Sequence, residues 1–508
     1  MAGRTAGTKW AEVPHRLFIA VVAGYCAILL VLTLAGQRFS TSIAHHGWQF
    51  APYDLLKRTP IRTALAMHVQ PPLWNMTIGL IAHWSPLPDG LSFQMFMAAL
   101  GLLVCLLATR LLLLVGLRGG PAAAFGLLIG VLPNSLQNVF GLGYELPTAL
   151  LVLLLVTVLL DDHRPPARRL VAAALLATSL VLVRTLYHPL WLVAVVVGLG
   201  VANRHRVSRR TCVLMVVVPL TLVGAVMAKN EASVGSMSLT SWEGMNLLRS
   251  TQPAVPQAVL DRMVEDGKMS PVARIPAFSP YDVYEPWVAA CKTSGTGLLD
   301  QPYADEPEIS PFTGEPIDVV NYDYRCFVPV YQQAGRDAWT LITSNPARWF
   351  DARAVALRTW FTDYPGDTTV VGHLMDGAGR VSVPLLTPDT SDWSNRGDDL
   401  LITRPLSLLP SAEFLVLLAA TGLAIRRRRR SHDVDRLDRL TFLAAFIYAS
   451  TMVPGVLFEL GEQARFRWCI EPLVHVTVVA IGARWWNDHR QSGLHAEPVD
   501  GATEARTS

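Results

Sequence analysis

The chain has 508 residues, of which 51% are hydrophobic and 16% are charged, and its mean hydropathy is +0.33. This composition excludes an ordinary soluble domain and predicts an α-helical polytopic membrane protein. The formal net charge of +3 gives no support for nucleic-acid binding.

Hydropathy predicts about ten transmembrane helices, because apolar runs of nearly 20 residues can cross the hydrocarbon core. They lie near residues 17–36, 91–115, 121–140, 144–160, 168–186, 188–202, 211–228, 408–425, 439–458 and 468–486. The first run, Leu17 to Gly36, would form about 30 Å of helix. It is longer than the core of a signal peptide, so we interpret it as an uncleaved anchor.

The basic residues test this topology. They cluster at Arg4/Lys9/Arg16, Arg110/Arg118, Arg164/Arg168/Arg169, Arg204 to Arg210, Arg426 to Arg430, and Arg484/Arg490. With ten spans and both termini in the cytoplasm, every cluster is cytoplasmic, as the positive-inside rule requires. The pattern predicts a multi-pass membrane protein with both termini in the cytoplasm, and it explains the five consecutive arginines as a topology signal.

The first external loop, residues 37–90, contains a polar segment from Tyr53 to Asn75 in which Asp54 is the one carboxylate. It leads into Pro71–Trp84, which at 14 residues would form only about 21 Å of helix, too short to span. We therefore predict a juxtamembrane helix in the outer interface. Its two leading prolines suit a first helical turn, and Trp74 and Trp84 suit the headgroup level.

The topology divides the chain into four parts. An N-terminal transmembrane core (1–228) is followed by a large mixed extracytoplasmic segment (229–407), C-terminal transmembrane helices (408–488) and a disordered cytoplasmic tail (489–508); residues 1–12 are also predicted to be disordered. Within the external segment, Tyr331–Phe361 has helical periodicity and predicts an amphipathic helix pair broken near Pro346. Cys291 and Cys326 are the two cysteines of this oxidising location, which predicts a disulfide between them.

Polar residues from separate parts of the chain fall on the predicted outer face. They are Asp54, His68, Gln70, Asn134, Gln137, Asn138, Tyr144, Glu145, Arg184, Tyr187, His188, Lys229, Asn230, Glu231, Glu459, Glu462, Arg465, Arg467 and Glu471. Ionisable residues close to a membrane are costly and mark a pathway or a site. Each alone also has a structural interpretation: Asp54 as a helix cap, His68 as a surface or capping residue, Arg184 as an interfacial anchor.

Four motifs in this set carry a resemblance. They are Asp54 with His68-Val69-Gln70-Pro71-Pro72-Leu73, Gln137-Asn138 with Tyr144-Glu145-Leu146-Pro147, Lys229-Asn230 with Ser241-Trp242-Glu243-Gly244-Met245-Asn246, and Ala464-Arg465-Phe466-Arg467-Trp468-Cys469-Ile470-Glu471-Pro472. Through them the chain resembles the GT-C glycosyltransferases, and more narrowly the bacterial protein mannosyltransferase and aminoarabinose transferase group. The resemblance covers the membrane core well and the external segment in patches.

The resemblance implies an inverting transfer of a sugar from a polyprenyl-phosphate donor to an extracytoplasmic acceptor, in cell-envelope assembly. It also implies a bacterial plasma membrane as the location, with the active site on the extracytoplasmic face. The departing phosphate needs cations, which Arg465, Arg467, Arg184 or Lys229 could supply. We expect Asp54 as the catalytic base and Arg465 and Arg467 as the phosphate ligands. Further substrate-binding candidates are His68, Gln70, Asn138, Tyr144, Glu145, Arg184, His188 and Lys229.

The stretch from Ile43 to Pro72 departs from the family pattern, because Asp54 is its one carboxylate and relatives often have a second one there. A magnesium or manganese site is therefore in doubt, since these cations favour carboxylate oxygens. Glu145 or Glu462 would have to complete it.

Two other functions stay open. A transporter or flippase of lipid-linked sugars would also need an outer basic cluster, but it predicts inverted repeats and ionisable residues near span midpoints, and the sequence has neither. A non-catalytic cell-envelope scaffold would leave the arginines and carboxylates of the core unexplained.

Overall fold

The structure, a computed structural model, describes residues 15–41, 44–45, 49–288, 290–291, 293, 295, 297–304, 307–309, 316–362, 407–430, 435–460 and 462–494. The terminal segments predicted to be disordered lie outside these residues, except that 489–494 continue the last helix.

The described part of the chain is mainly helical. In chain order its helices are α1 (His15–Leu34), α2 (Tyr53–Arg58), α3 (Pro60–Ala66), α4 (Pro72–Trp84), α5 (Asp89–Leu114), α6 (Gly119–Gly130), α7 (Pro133–Val139), α8 (Glu145–Leu160), α9 (Pro166–Val183), α10 (Pro189–Asn203), α11 (Arg209–Val234), α12 (Glu243–Thr251), α13 (Gln257–Glu265), α14 (Tyr281–Tyr284), α15 (Phe327–Ser344), α16 (Pro346–Trp360), α17 (Leu408–Arg430), α18 (Arg436–Phe458), α19 (Gln463–Trp468) and α20 (Glu471–Leu494). Short 3₁₀ turns cover Gln252–Ala254, Pro271–Arg274 and Glu285–Trp287. Strand β1 (Glu308–Ile309) pairs antiparallel with β2 (Pro316–Ile317).

Among the described helices, six are long and apolar enough to cross a membrane: α1, α5, α9, α11, α17 and α18. The pair α6 and α7 makes a seventh if it counts as one span, bent by 61°. Pro133 begins α7 at this bend, because proline lacks the N–H that a continuous helix would need. Helices α8 and α10 are apolar but shorter. The chain is therefore an α-helical membrane protein, whereas the count of ten spans stays a prediction.

Helix α4 confirms that the proline-led end of the first loop is helical, with Pro71 at its N-cap. One expectation was wrong. Trp74 is buried, with its ring centroid 6.1 Å from Phe96 and 6.2 Å from Tyr144, because α4 packs on α5 and its inner face joins the core. Trp84 at the other end of α4 is exposed.

The segment that the sequence predicts to be external has a hydrophobic core of its own between Trp242 and Leu341, to which Val69 of the first loop contributes. The predicted amphipathic pair is confirmed as α15 and α16, which are separated at Asn345 directly before Pro346. A disulfide joins Cys291 to Cys326, next to the first residue of α15, with the two Cα atoms 5.6 Å apart. The domain boundary drawn after residue 228 falls inside α11, which continues to Val234.

Candidate functional site

A cavity of about 740 Å³ lies where the first loop, the α9–α10 connection, α12, α15 and the α18–α19 turn meet. Its polar lining residues are Gln49, Gln70, Arg184, Thr185, His188, Thr240, Glu243, Asn246, Arg249, Ser450, Glu459 and Glu462. Its aromatic lining residues are Trp191, Trp242, Phe278, Trp339, Phe458 and Phe466. A concave site with apolar walls and a few converging polar groups is typical of a small-molecule site.

Behind the cavity wall, one carboxylate holds two arginines. Glu145, the first residue of α8, places Oε1 3.1 Å from Arg184 Nη1 and 2.9 Å from Arg465 Nη2. Arg465 also reaches Glu462 at 3.3 Å. Buried charges need partners of opposite sign, so these contacts fix both guanidinium groups in place.

Several donors in the cavity wall lack an acceptor. Within the described ranges, Arg184 Nη2, Trp191 Nε1 and Trp242 Nε1 are buried and have no hydrogen-bond partner. All three residues line the cavity. A buried donor without a partner is costly, so each one that persists requires an explanation. A ligand rich in oxygen acceptors, such as a phosphate or a sugar, would supply the missing partners.

The first loop is joined to the external segment through His68. Asp323 Oδ1 accepts hydrogen bonds from the backbone N–H groups of His68 (2.6 Å) and Val69 (3.0 Å). His68 Nε2 lies 2.8 Å from the Asp323 carbonyl, which can only accept, so Nε2 carries the proton. His68 Nδ1 then accepts from the Ser241 hydroxyl at 2.6 Å. Both ring nitrogens are used internally, and the contacts hold Gln70 and Thr240 at the cavity wall.

Six of the predicted site residues come together. Gln70, Arg184, His188 and Glu462 line the cavity, and Glu145 and Arg465 lie directly behind it. Separate parts of the chain therefore contribute to one cavity.

The candidate base lies elsewhere. Asp54 is in the first turn of α2, where its carboxylate is 3.4 Å from Arg58, and it is not among the residues that line the cavity.

The remaining candidates also make internal contacts. Arg467 is buried, lies 2.6 Å from Glu471 and donates to the carbonyls of Trp360 and Thr362. These contacts use its guanidinium within the protein, away from the cavity lining.

Three further candidates donate to backbone carbonyls. Tyr144 donates to Gln49 at 2.5 Å, Asn138 to Asn134 at 2.8 Å, and Lys229 to Met67 at 2.5 Å. They position neighbouring segments, and the cavity lining does not include them.

The sequence reasoning assigned no role to several residues that line the cavity. Glu243 forms no ion pair in the part of the chain that the structure describes, and it is exposed at the cavity. Arg249 forms an ion pair with Glu459 at 3.4 Å, and these two side chains line another side of the cavity. The motif Ser241–Asn246 was one of the four that carry the family resemblance, and it contains both Trp242 and Glu243.

The carboxylates proposed for a metal do not fit one. Glu145 and Glu462 both accept hydrogen bonds from Arg465, which lies between them. No group of three or more His, Cys, Asp or Glu side chains within the described ranges could hold a metal ion.

Comparisons with protein families, with curated proteins and with solved structures give no match for this chain. Membership of the GT-C superfamily therefore stays a prediction from the four motifs.

Proposed function

We propose that the chain is a membrane glycosyltransferase that moves a sugar from a polyprenyl-phosphate donor to an extracytoplasmic acceptor, with inversion at the anomeric carbon. The observation that carries the proposal is the position of Arg184. It lines the cavity, is held by Glu145, and keeps Nη2 without a partner among the described residues. A guanidinium group in this state is suited to a phosphate, which it binds through charge-assisted hydrogen bonds.

In the proposed reaction, the acceptor oxygen attacks the anomeric carbon and passes its proton to a carboxylate. The bond from that carbon to the phosphate oxygen breaks, and its electron pair leaves with the lipid phosphate. Arg184 would stabilise the negative charge that develops there, with Arg465 adding positive potential from behind the wall. Stabilising a leaving group in this way acts on the transition state and raises the rate.

Two carboxylates compete for the role of base. Asp54 is the residue that the family resemblance implies, whereas Glu243 lines the cavity. Glu459 and Glu462 also line the cavity, but they are paired with Arg249 and Arg465. Glu243 forms no ion pair within the described ranges, so its carboxylate can accept a proton from an acceptor bound in the cavity. We therefore propose Glu243 as the base of this cavity and keep Asp54 as the competing assignment.

The test uses purified protein in lipid nanodiscs, radiolabelled polyprenyl-phosphate sugars and cell-envelope acceptor fractions. We expect transfer by the unchanged protein and a loss of at least about a hundredfold in kcat for Glu243→Gln. Arg184→Gln should lose a similar factor. Lys57→Gln is the matched control, because Lys57 lies in an exposed ion pair with Asp89 and not at the cavity.

The outcomes separate the alternatives. If Asp54→Asn loses most of its transfer activity and Glu243→Gln keeps normal activity, the base is Asp54. Folded protein that transfers no sugar from any donor, but moves lipid-linked sugars across a vesicle membrane, would replace the proposal with the transporter. Protein with neither activity would favour the scaffold.

A further inference from the structure

One side of the cavity is aromatic and belongs to the external segment. We call Trp242, Phe278 and Trp339 the aromatic wall. The rings of Trp242 and Phe278 are 5.1 Å apart at 74°, and both side chains are buried. Trp339 on α15 also lines the cavity but is 60% exposed. The buried rings of Trp242 and Phe278 therefore support this wall, and the exposed ring of Trp339 is accessible to a ligand.

The backbone of Phe278 is strained at this wall. Its φ of +62° places it in the left-handed region, which aromatic residues rarely adopt. The conformation is held by surrounding contacts: Tyr322 donates a hydrogen bond of 2.6 Å to the Phe278 carbonyl, and the Arg249 guanidinium lies 6.0 Å from its ring. Strain of this kind persists where the surroundings enforce it, and it concentrates at binding sites.

The polar groups beside the wall are of two kinds. Trp242 Nε1 is a buried donor that lacks an acceptor within the described residues, and the Glu243 carboxylate is an acceptor with no ion pair there. Hydroxyl groups can both donate and accept, so a polyol satisfies both at once. Arg249 is paired with Glu459, so among the described residues no unpaired arginine at this wall can bind an anionic partner.

From these observations we infer that the aromatic wall is a saccharide subsite, and that the acceptor is a carbohydrate. The role as acceptor rests on the proposed function. A sugar ring has an apolar face of C–H groups, which would pack on Trp339, and an edge of hydroxyls, which would reach Glu243 and Trp242. The donor phosphate would occupy the Arg184 side, so the acceptor hydroxyl would lie between that phosphate and Glu243.

Binding of neutral trisaccharides tests the subsite without any transfer reaction. The probes are maltotriose, mannotriose and cellotriose, added to the full chain in nanodiscs and followed by tryptophan fluorescence and saturation-transfer NMR. We expect saturable binding of at least one probe, with magnetisation transferred to its ring C–H groups. Trp339→Ala should weaken this binding about tenfold, and Trp339→Phe should restore most of it. Trp287→Ala is the control, because Trp287 is similarly exposed but does not line the cavity.

Three results would overturn the inference: no saturable binding of any probe, equal binding by Trp339→Ala, or Trp339-dependent binding of a Ser/Thr-rich peptide in place of the sugars. A parallel measurement of polyprenyl-phosphate sugar binding keeps the two proposals apart. Donor binding that survives in Trp339→Ala while trisaccharide binding falls would support both. If the unchanged protein binds trisaccharides but not the donor, the proposed function is contradicted and the subsite is still supported.

Discussion

Arg184 and Glu145 lie 39 positions apart in the chain and form a buried ion pair, with Arg184 Nη1 3.1 Å from Glu145 Oε1. The same oxygen accepts from Arg465, so one carboxylate serves two guanidinium groups. Three elements, α8, the end of α9 and α19, are thereby joined at the back of the cavity.

Replacing that carboxylate should destabilise the protein. Glu145→Gln leaves two arginines with only a neutral amide between them, and breaking a buried pair costs about 3–5 kcal/mol. We expect the free energy of unfolding, measured by denaturant titration in detergent micelles, to fall by that amount.

The control for Glu145→Gln is Asp89→Asn, which breaks the Lys57–Asp89 pair. Its side chains are 49% and 28% exposed, so the loss should be at most about 1 kcal/mol. Equal losses in the two variants would show that the Glu145 cluster does not stabilise the fold.

Close packing at Gly244 gives a second prediction. A Cβ added there would meet the Tyr331 carbonyl and approach the Gly335 backbone nitrogen to 2.7 Å, because α12 and α15 cross at these two glycines. Gly244→Ala should push α12 away and lower stability by about 1–3 kcal/mol. It should also weaken ligand binding, since α12 carries Glu243.

Gly198→Ala is the matched control for Gly244→Ala. Gly198 also lies in a helix, but a Cβ added there meets nothing within 4 Å. Alanine favours helix more than glycine does, so this change should leave stability unchanged or raise it by up to about 1 kcal/mol. Thermal unfolding followed by tryptophan fluorescence distinguishes the two, and a similar melting shift in both variants would contradict the packing argument.

Much of the architecture could be predicted from the sequence, because it depends on local patterns. Apolar run length predicts a helical membrane protein, periodicity predicts the α15–α16 pair, and proline placement predicts the start of α4. The sequence also predicts that Glu145, Arg184 and Arg465 lie on one face, because each stands at the end of an apolar run.

The details of the site depend on tertiary contacts that no local pattern contains. His68 is buried because Asp323, 255 residues later, binds both its backbone and its ring. Asp54 was favoured because it is the one carboxylate between Tyr53 and Asn75, but the packing of α2 on α4 decides where it lies. Glu243 was passed over because a glutamate beginning a short amphipathic helix looks like an ordinary surface residue.

His68 predicts a pH dependence of stability. Burial lowers the pKa of its imidazole, against the opposing effect of Asp323, and Lys229 and Arg325 lower it further. The unfolded chain therefore binds a proton more readily than the folded one, so folding is favoured when His68 is neutral. This stability should be fully present above about pH 6.5 and should fall as the pH drops below that value.

The measurement for His68 is the melting temperature between pH 7.5 and 5. His68→Gln should be less stable at pH 7.5 but show a flatter decline toward pH 5. His83→Gln serves as the control, because His83 is exposed on α4 and should keep the decline of the unchanged protein. The same slope in all three proteins would exclude His68 as the titrating group.

The disulfide should stabilise the external segment chiefly by restricting the unfolded chain. Cys291 and Cys326 are 35 positions apart, and closing a loop of that size is worth about 4 kcal/mol in loop-closure entropy.

Reduction should lower the melting temperature of the unchanged protein. The double variant Cys291→Ala/Cys326→Ala should melt at the reduced value with or without reductant. Cys26, Cys105, Cys212 and Cys469 are free thiols, which a reductant leaves unchanged, so the effect of the reductant on the melting temperature isolates this one bond. A melting temperature that reductant leaves unchanged, with mass spectrometry showing the bond broken, would mean that α15 is anchored by its packing alone.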